Sequence, residues 1–427
     1  MSAKRVQHQT VFGRLLGRVA LVEKHEMPAV IASFLLFFFV LGGYFCVRPV
    51  RETVGTILGR NRVADLYLWT WAGSIAIIPI FGWLVARLKR SVFLPLIYGF
   101  VAVSLAAIGI ALQANEGSIA IGQFFYVFIS ILSLFLTSVF WAFLLELFDS
   151  GQAKRLFGVI AAGGTAGALA GPGITYLTVS RIGNGGVLFV GAAMFVVAIF
   201  CQQALLRIWK SRRDADQEDR PIGGNPFAGF WLVLRSPYLL LIALFVVLLA
   251  SANTFLYFEQ LRLVKATFAS TQERTQVFAM LDWIVQTLTI GCQLFLTGRI
   301  ASRLGLSVLL AIVPVVMIFG FLSLAAVGTF AVLAVVFVVR RVGEYAFVRP
   351  GREILFSRVD NETKYKAKNV IDVPVYRASD AITAQVSTAL EGGALGATAV
   401  ALIGGAVAAA WAVNGWWLGR RSDARGG

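Results

Sequence analysis

Ile31-Ala32-Ser33-Phe34-Leu35-Leu36-Phe37-Phe38-Phe39-Val40-Leu41-Gly42-Gly43-Tyr44-Phe45-Cys46-Val47-Arg48-Pro49-Val50-Arg51 is an apolar run that ends in two arginines. A helix of about 20 such residues is as long as a bilayer's hydrocarbon core is thick. Comparable runs recur to the far end of the chain. Spans are expected near 28–50, 66–86, 92–112, 119–146, 157–178 and 186–206, and then near 238–258, 276–297, 305–327, 329–348, 368–389 and 394–417. The eleventh is the most polar, holding Lys368, Asp372, Arg377 and Asp380. With 58% hydrophobic and only 14% charged residues among 427, and a mean hydropathy of +0.78, the chain has too few polar groups to cover a water-soluble surface. The fold class expected is all-α integral membrane, with about twelve transmembrane helices and membrane lipid as solvent. The first run has full span length and no small-residue cleavage pattern, which argues against a cleaved signal.

The formal net charge of +16 comes from 38 Lys and Arg against 22 Asp and Glu. The cations cluster in alternate short loops, which marks an integral membrane protein and not a nucleic-acid binder. Arg87, Lys89 and Arg90, Lys154 and Arg155, and Arg299 and Arg303 fall on one side with the basic tails and a charged bridge, whereas the loops near Glu116, Arg181, Gly328 and Glu391 are nearly free of Lys and Arg. Both termini are therefore expected in the cytoplasm and the protein in the inner (plasma) membrane. The loops after spans 1 and 7 break the rule, being basic on the outer side. The bridge holds Lys210, Arg212, Arg213 and Pro221, Gly223, Gly224, Pro226, and reads as a linker with a short interfacial helix around Phe227–Leu234. It divides the chain into 1–207, 208–237 and 238–427. Cys46, Cys201 and Cys292 all lie in apolar runs, so no disulfide framework is implied. His8 and His25 both precede the first span, leaving no membrane histidine as metal ligand or general base. No metal, cofactor or catalytic residue is expected, and no nucleophile–base constellation suggests an enzyme.

The two parts read as repeats. Val47-Arg48-Pro49-Val50-Arg51 ends span 1, Leu261-Arg262-Leu263-Val264-Lys265 follows span 7, and Ala153-Lys154 precedes span 5 as Ala367-Lys368 precedes span 11, all at an offset of 214 residues. This predicts two pseudo-symmetric six-helix bundles around a central cavity. Gly82-Trp83-Leu84-Val85-Ala86-Arg87-Leu88-Lys89-Arg90 resembles the major facilitator loop motif G-x-x-x-D-R-x-G-R-R, and Gly298-Arg299-Ile300-Ala301-Ser302-Arg303-Leu304-Gly305 resembles its second-half copy. The family's Asp is Ala86 here and Ser302 in the copy. Gly167-Ala168-Leu169-Ala170-Gly171-Pro172 is similar to the start of the antiporter motif G-x-x-x-G-P, without its closing glycines. Gly163, Gly167 and Gly171 also suit close helix packing. A narrower likeness covers most of the chain. Tyr44–Glu52, Ala153–Gly164 and Lys364–Asp372 resemble stretches of the nucleotide (ATP/ADP) translocase family and its bacterial relatives. ATP/ADP exchangers carry a lysine shortly after the Ile-Asp pair, where Asp380 stands here. The resemblance is thus to the family's transporter-like relatives more than to its nucleotide exchangers.

A charge at the bilayer centre costs about 2.5–3.5 kcal/mol on insertion scales, so such residues face a wet cavity or one another. Tyr44, Arg48 and Arg51 share one helix face by i, i+4, i+7 spacing, and Tyr345, Arg349 and Arg352 repeat the pattern in span 10. Pro49 and Pro350 disfavour helical geometry in the residue before each. By resemblance, spans 1, 4, 7 and 10 line the cavity of this fold. Guanidinium pairs there suit phosphate or carboxylate, and gating or snorkelling is the competing role. Two gates are expected. Arg48, Arg51 and Glu52 would face Glu259, Arg262 and Lys265 outside, and Glu146 and Asp149 would face Arg349, Arg352 and Lys368 inside. Asp282, mid-span 8, is read as a lone carboxylate for proton or cation coupling. Asp372 and Asp380 are read as paired with Lys368 at i−4 and Arg377 at i−3.

These features predict a secondary active transporter, expected as a monomer, moving an organic anion such as a nucleotide or another phosphorylated metabolite. Two alternatives stand beside it: a proton-coupled exporter of a neutral or hydrophobic compound, and a transport-deficient sensor or scaffold built on the transporter fold.

Overall fold

A computed structural model describes residues 22–87, 90–209, 228–357, 359, 367–392 and 396–423. The described residues are helical almost throughout and contain no strand. The first half comprises α1 (Met27–Leu58), α2 (Arg60–Arg87), α3 (Arg90–Ala114), α4 (Ile119–Leu147) and a run Ser150–Ile208 that Gly183 divides into α5 (150–182) and α6 (184–208). A short α7 (Ala228–Arg235) stands where the interfacial helix is expected, while the rest of the bridge, 210–227, lies outside the described residues. The second half begins with α8 (Pro237–Thr267) and α9, which runs from Thr271–Cys292 through a wide π turn, Gln293–Thr297, to residue 304. It continues with α10 (306–327), α11 (Phe330–Gly343, Glu344–Val348 and Arg349–Phe356 as one rod), α12 (367–370, Ile371–Val375, Tyr376–Gly392) and α13 (Gly396–Asp423). The expected spans fall on helix over their described residues, apart from Thr329, which caps the start of α11.

Among the described residues, seven helical stretches are long and apolar enough to cross a bilayer, and two of them, Gly151–Ile208 and Thr271–Val327, are of double length. Each double stretch turns at a glycine, Gly183 (φ 69°) or Gly305 (φ 78°), in the left-handed region that a Cβ disfavours. Outward-facing Phe100, Val103, Leu177, Phe200, Leu294 and Val413 are exposed, an arrangement stable in lipid and unfavourable in water. The buried apolar residues form two clusters, one mostly from α1–α6 and one from α7–α13.

Local signals set several helix ends. Asp149 and Gln152 form a reciprocal capping box at the start of α5, and Ser270 and Glu273 form another at α9. Before α1, the buried Glu26 carboxylate accepts Arg155 Nη2 at 2.9 Å, Gln152 Nε2 at 3.2 Å and the Glu23 backbone N–H at 3.1 Å, tying α1 to α5. Burial favours its neutral form, but the Glu23 amide and Arg155 outweigh that and hold the carboxyl below the usual range. The stabilisation is complete above the ordinary glutamate pKa and is lost as pH falls through the lowered folded value. Glu26→Gln is accordingly expected to lower the melting temperature by a few degrees at neutral pH. The difference from the parent protein should shrink in acid, as thermal unfolding of the detergent-solubilised protein at both pH values would read.

Closest packing occurs where α5 crosses α1. A Cβ on Gly163 would strike the Phe34 carbonyl oxygen, one on Gly167 the Phe38 carbonyl oxygen, and one on Gly171 the Gly42 carbonyl oxygen. The glycine stripe read from the sequence is thus a backbone-to-backbone contact. Thr175 Oγ1 adds a hydrogen bond to the Cys46 carbonyl at 2.6 Å.

Candidate functional site

A cavity of about 580 Å³ lies between the halves, walled by α1, α2, α4, α8, α9, α11 and α12. Helix α1 runs unbroken through Pro49, so Tyr44, Arg48 and Arg51 keep one face and all three line the cavity. On α11 the π turn absorbs Pro350. The Arg349 N–H reaches back five residues to the Glu344 carbonyl, and Tyr345, Arg349 and Arg352 all line the cavity. A second π turn, Ile371–Val375, accommodates Pro374 in α12. The wall holds seven arginines against five carboxylates, an excess of two positive charges. Tyr44, Tyr67, Tyr257, Tyr345 and Tyr376 add hydroxyls and ring faces.

The arginines have distinct surroundings. Arg51 donates to Ser130 Oγ at 3.2 Å and Glu52 at 3.2 Å and lies over the Tyr126 ring at 4.8 Å. Arg349 lies over the Tyr345 ring at 4.4 Å, touches Glu344 only at 3.4 Å, and leaves 56% of its side chain exposed. Arg377 meets Asp380 at 3.6 Å as the i−3 spacing predicts, and Thr254 Oγ1 donates to the same carboxylate at 2.9 Å.

Asp282 lines the cavity but is not the lone carboxylate the sequence suggests. Both its oxygens lie 3.1 Å from Arg48 Nη1, and Arg341 Nη1 donates to Oδ1. Arg341 also donates to the Tyr345 hydroxyl at 2.9 Å, and its neighbour Arg340 to Glu344 at 2.9 Å. Arg340, Arg341 and Glu344 are buried site residues that sequence reasoning missed. The signal was present in Val339-Arg340-Arg341-Val342-Gly343-Glu344, a charged cluster inside an apolar run with Arg and Glu at i, i+4.

Both expected gates need correction. Glu52 accepts the Tyr257 hydroxyl at 2.8 Å, and Tyr257 pairs with Tyr126 at 2.8 Å, whereas Glu259 pairs with Arg262 on its own helix and Lys265 is exposed. Two residues turn a helix by about 200°, so with Tyr257 toward α1, Glu259 points the other way. It reaches a small pocket beside Phe321 and Val400. At the other end Lys368 pairs with Glu353 at 2.6 Å, Arg352 with Asp372 at 3.2 Å and Arg349 with Glu344, all within the second half. Asp372 therefore takes Arg352, not Lys368, as its partner. Glu146 is exposed near the end of α4, and Asp149 caps α5.

Hydrogen bonds between the halves gather at the end opposite the termini. Thr53 and Thr275 hydroxyls meet at 2.6 Å, Thr275 donates to Asn184 at 2.6 Å, and Asn184 and Thr271 both donate to Glu116, at 3.1 and 2.8 Å. Arg60 donates to the Ser387 hydroxyl at 3.0 Å and Gln385 to Asp65 at 3.3 Å. The cavity lies on the terminus-bearing side of this seal, reaching Arg349, Arg352 and Asp372.

Fold and cavity together describe a multi-pass membrane protein with the major facilitator fold. No family model matches the chain. Among curated proteins it is 23% identical to ADP,ATP carrier protein 1 of Chlamydia muridarum, over 86% of this chain and 82% of the carrier, and likewise 23% identical to the Chlamydia trachomatis carrier of the same name. Among solved structures it resembles a POT family transporter in complex with a thioalcohol-conjugated peptide (TM-score 0.64, 11% identity, 90% of this chain and 94% of the other). It also resembles the nucleoside transporter NupG (TM-score 0.60, 15%, 93% and 99%). A bacterial homologue of the human lysosomal transporter Spinster, inward-facing and unoccupied, aligns similarly (TM-score 0.59, 14%, 93% and 98%). These relatives and neighbours are transporters and not enzymes. The two carriers agree with the likeness to the nucleotide translocase group read from the sequence.

Proposed function

We propose that the chain is a secondary active transporter that moves an organic anion across the inner membrane by alternating access. A nucleotide or another phosphorylated metabolite is the leading cargo. The observation that carries this is the cavity between the halves, whose seven arginines exceed its five carboxylates. A guanidinium presents a planar fork that matches two oxygens of a phosphate or carboxylate at once. The distant carrier relatives, named for ADP and ATP, favour the phosphorylated class. With the basic loops and both termini in the cytoplasm, the sealed end is external and the cavity faces inward. Residues 1–207 and 238–427 then rock as two bodies about the cavity, joined by the 208–237 linker.

Counterflow in proteoliposomes tests the function. Vesicles preloaded with ADP, inorganic phosphate or citrate are expected to take up the labelled form of the cargo several-fold faster than unloaded vesicles. Absence of counterflow for every anion, together with proton-driven movement of a neutral compound, would leave the exporter in its place.

A further inference from the structure

Building on the anion-transport function, we propose that the gap between Arg48 and Arg341 is an oxyanion subsite. In this state a tethered carboxylate, Asp282, fills it, and a phosphate or carboxylate group of the cargo displaces that carboxylate. Three helices distant in sequence converge here: α1 brings Arg48, α9 brings Asp282 and α11 brings Arg341. The arginine forks are already posed around a group with the shape and charge of an oxyanion. Arg48 holds both oxygens at 3.1 Å, and the Tyr345 hydroxyl fixes Arg341 from behind at 2.9 Å. A guanidinium carries five donors, so one short carboxylate leaves capacity unused on each. Arg48, Asp282 and Arg341 all line the cavity, so an anion inside it reaches the same donors. A second anion cannot settle beside Asp282 without like-charge repulsion, so occupancy proceeds by exchange.

The exchange has a mechanical consequence. Arg48 belongs to the first half and Asp282 to the second, so their ion pair ties the halves together. The Arg352–Asp372 and Arg377–Asp380 pairs lie wholly within the second half, and opening either would not part the halves. When cargo takes the place of Asp282, a bond between the halves is lost, and binding becomes linked to opening of the sealed end.

Equilibrium binding to the purified full chain tests the subsite, with inorganic phosphate, ADP and citrate as separate probes. Asp282→Asn removes the internal competitor and is expected to tighten binding by about ten-fold or more, the worth of one charge-assisted hydrogen bond. Phosphate and ADP responding without citrate would identify the cargo group as phosphate, and the reverse as carboxylate. Binding to the variant alone also supports the competitor. Equal or weaker binding by the variant, with clear binding to the parent chain, overturns the subsite and leaves anion transport standing. Binding to neither overturns both. A measurement on the unsubstituted site covers a variant that fails to fold. Spin labels at the exposed Asn61 and Lys265, at the sealed ends of α2 and α8, are expected to move apart when a bound probe is added. An unchanged distance at saturation would sink the displacement mechanism.

Discussion

Replacing Arg349 with glutamine is expected to weaken anion binding by about ten- to hundred-fold, the equivalent of the roughly 1.5–3 kcal/mol carried by a hydrogen bond to a charged group. Arg349 is the most exposed of the cavity guanidiniums. Its carboxylate contact to Glu344 is long at 3.4 Å, more than half of its side chain is open, and the Tyr345 ring supports it at 4.4 Å. That combination leaves the fork oriented and its donors available. Arg349→Lys should recover only part of the loss, because an ammonium retains the charge but not the bidentate geometry or the flat stacking on Tyr345. Arg51 should respond differently. Glu52, Ser130 and Tyr126 hold its guanidinium, so Arg51→Gln leaves the buried Glu52 with only the Tyr257 hydroxyl and a long 3.7 Å contact to Arg48, and compromises the protein before it compromises binding. A charge swap between Arg51 and Glu259 is not expected to rescue anything, since Glu259 pairs with Arg262 away from α1. Titration of labelled anion onto the two Arg349 variants, with ligand-free melting as a folding control, reads the result. Equal affinity in parent and Arg349→Gln would remove Arg349 from the cargo site.

Gly167→Leu is expected to abolish recovery of folded protein. Even a methyl group at this position meets the Phe38 carbonyl and the Gly42 amide of α1, which are backbone atoms that cannot rotate aside. Overpacking a core by a few methylenes costs about 1–3 kcal/mol where side chains can adjust, and a backbone contact removes that relief. The loss extends beyond one site, because Gly163 and Gly171 make the same approach one turn to either side and separate together with Gly167. Gly158 supplies the comparison. It lies on the same helix with open space around its Cβ position, and Gly158→Ala is expected to be silent or slightly stabilising through helix propensity. Size-exclusion profiles of the two variants in detergent distinguish them. A monodisperse, normally yielding Gly167→Leu protein would mean that α1 and α5 do not touch as described.

The membrane-spanning architecture was legible in the residues because hydropathy, helical period and basic-loop bias are local properties. The run 31–51 needs no partner to declare itself a span, and the 3.6-residue period places Tyr44, Arg48 and Arg51 on one face. The glycine stripe was legible as close packing for the same reason, since only small residues permit it. The wide turns were not. The π turns at 344–348 and 371–375 take up Pro350 and Pro374 and shift the phase of the charges around them, so Asp372 meets Arg352 instead of Lys368. The gate partners were illegible because pairing depends on how one helix is rotated against another: Tyr257 and Glu259 are near neighbours in sequence yet face nearly opposite directions. Asp282 makes the distinction most sharply. The sequence alone determined that a carboxylate sits in the middle of a span. That arginines 234 residues before it and 59 residues after it close around that carboxylate follows from the packing of α1 and α11 against α9. Coulomb attraction acts through space and not along the chain, so no local pattern could announce their meeting.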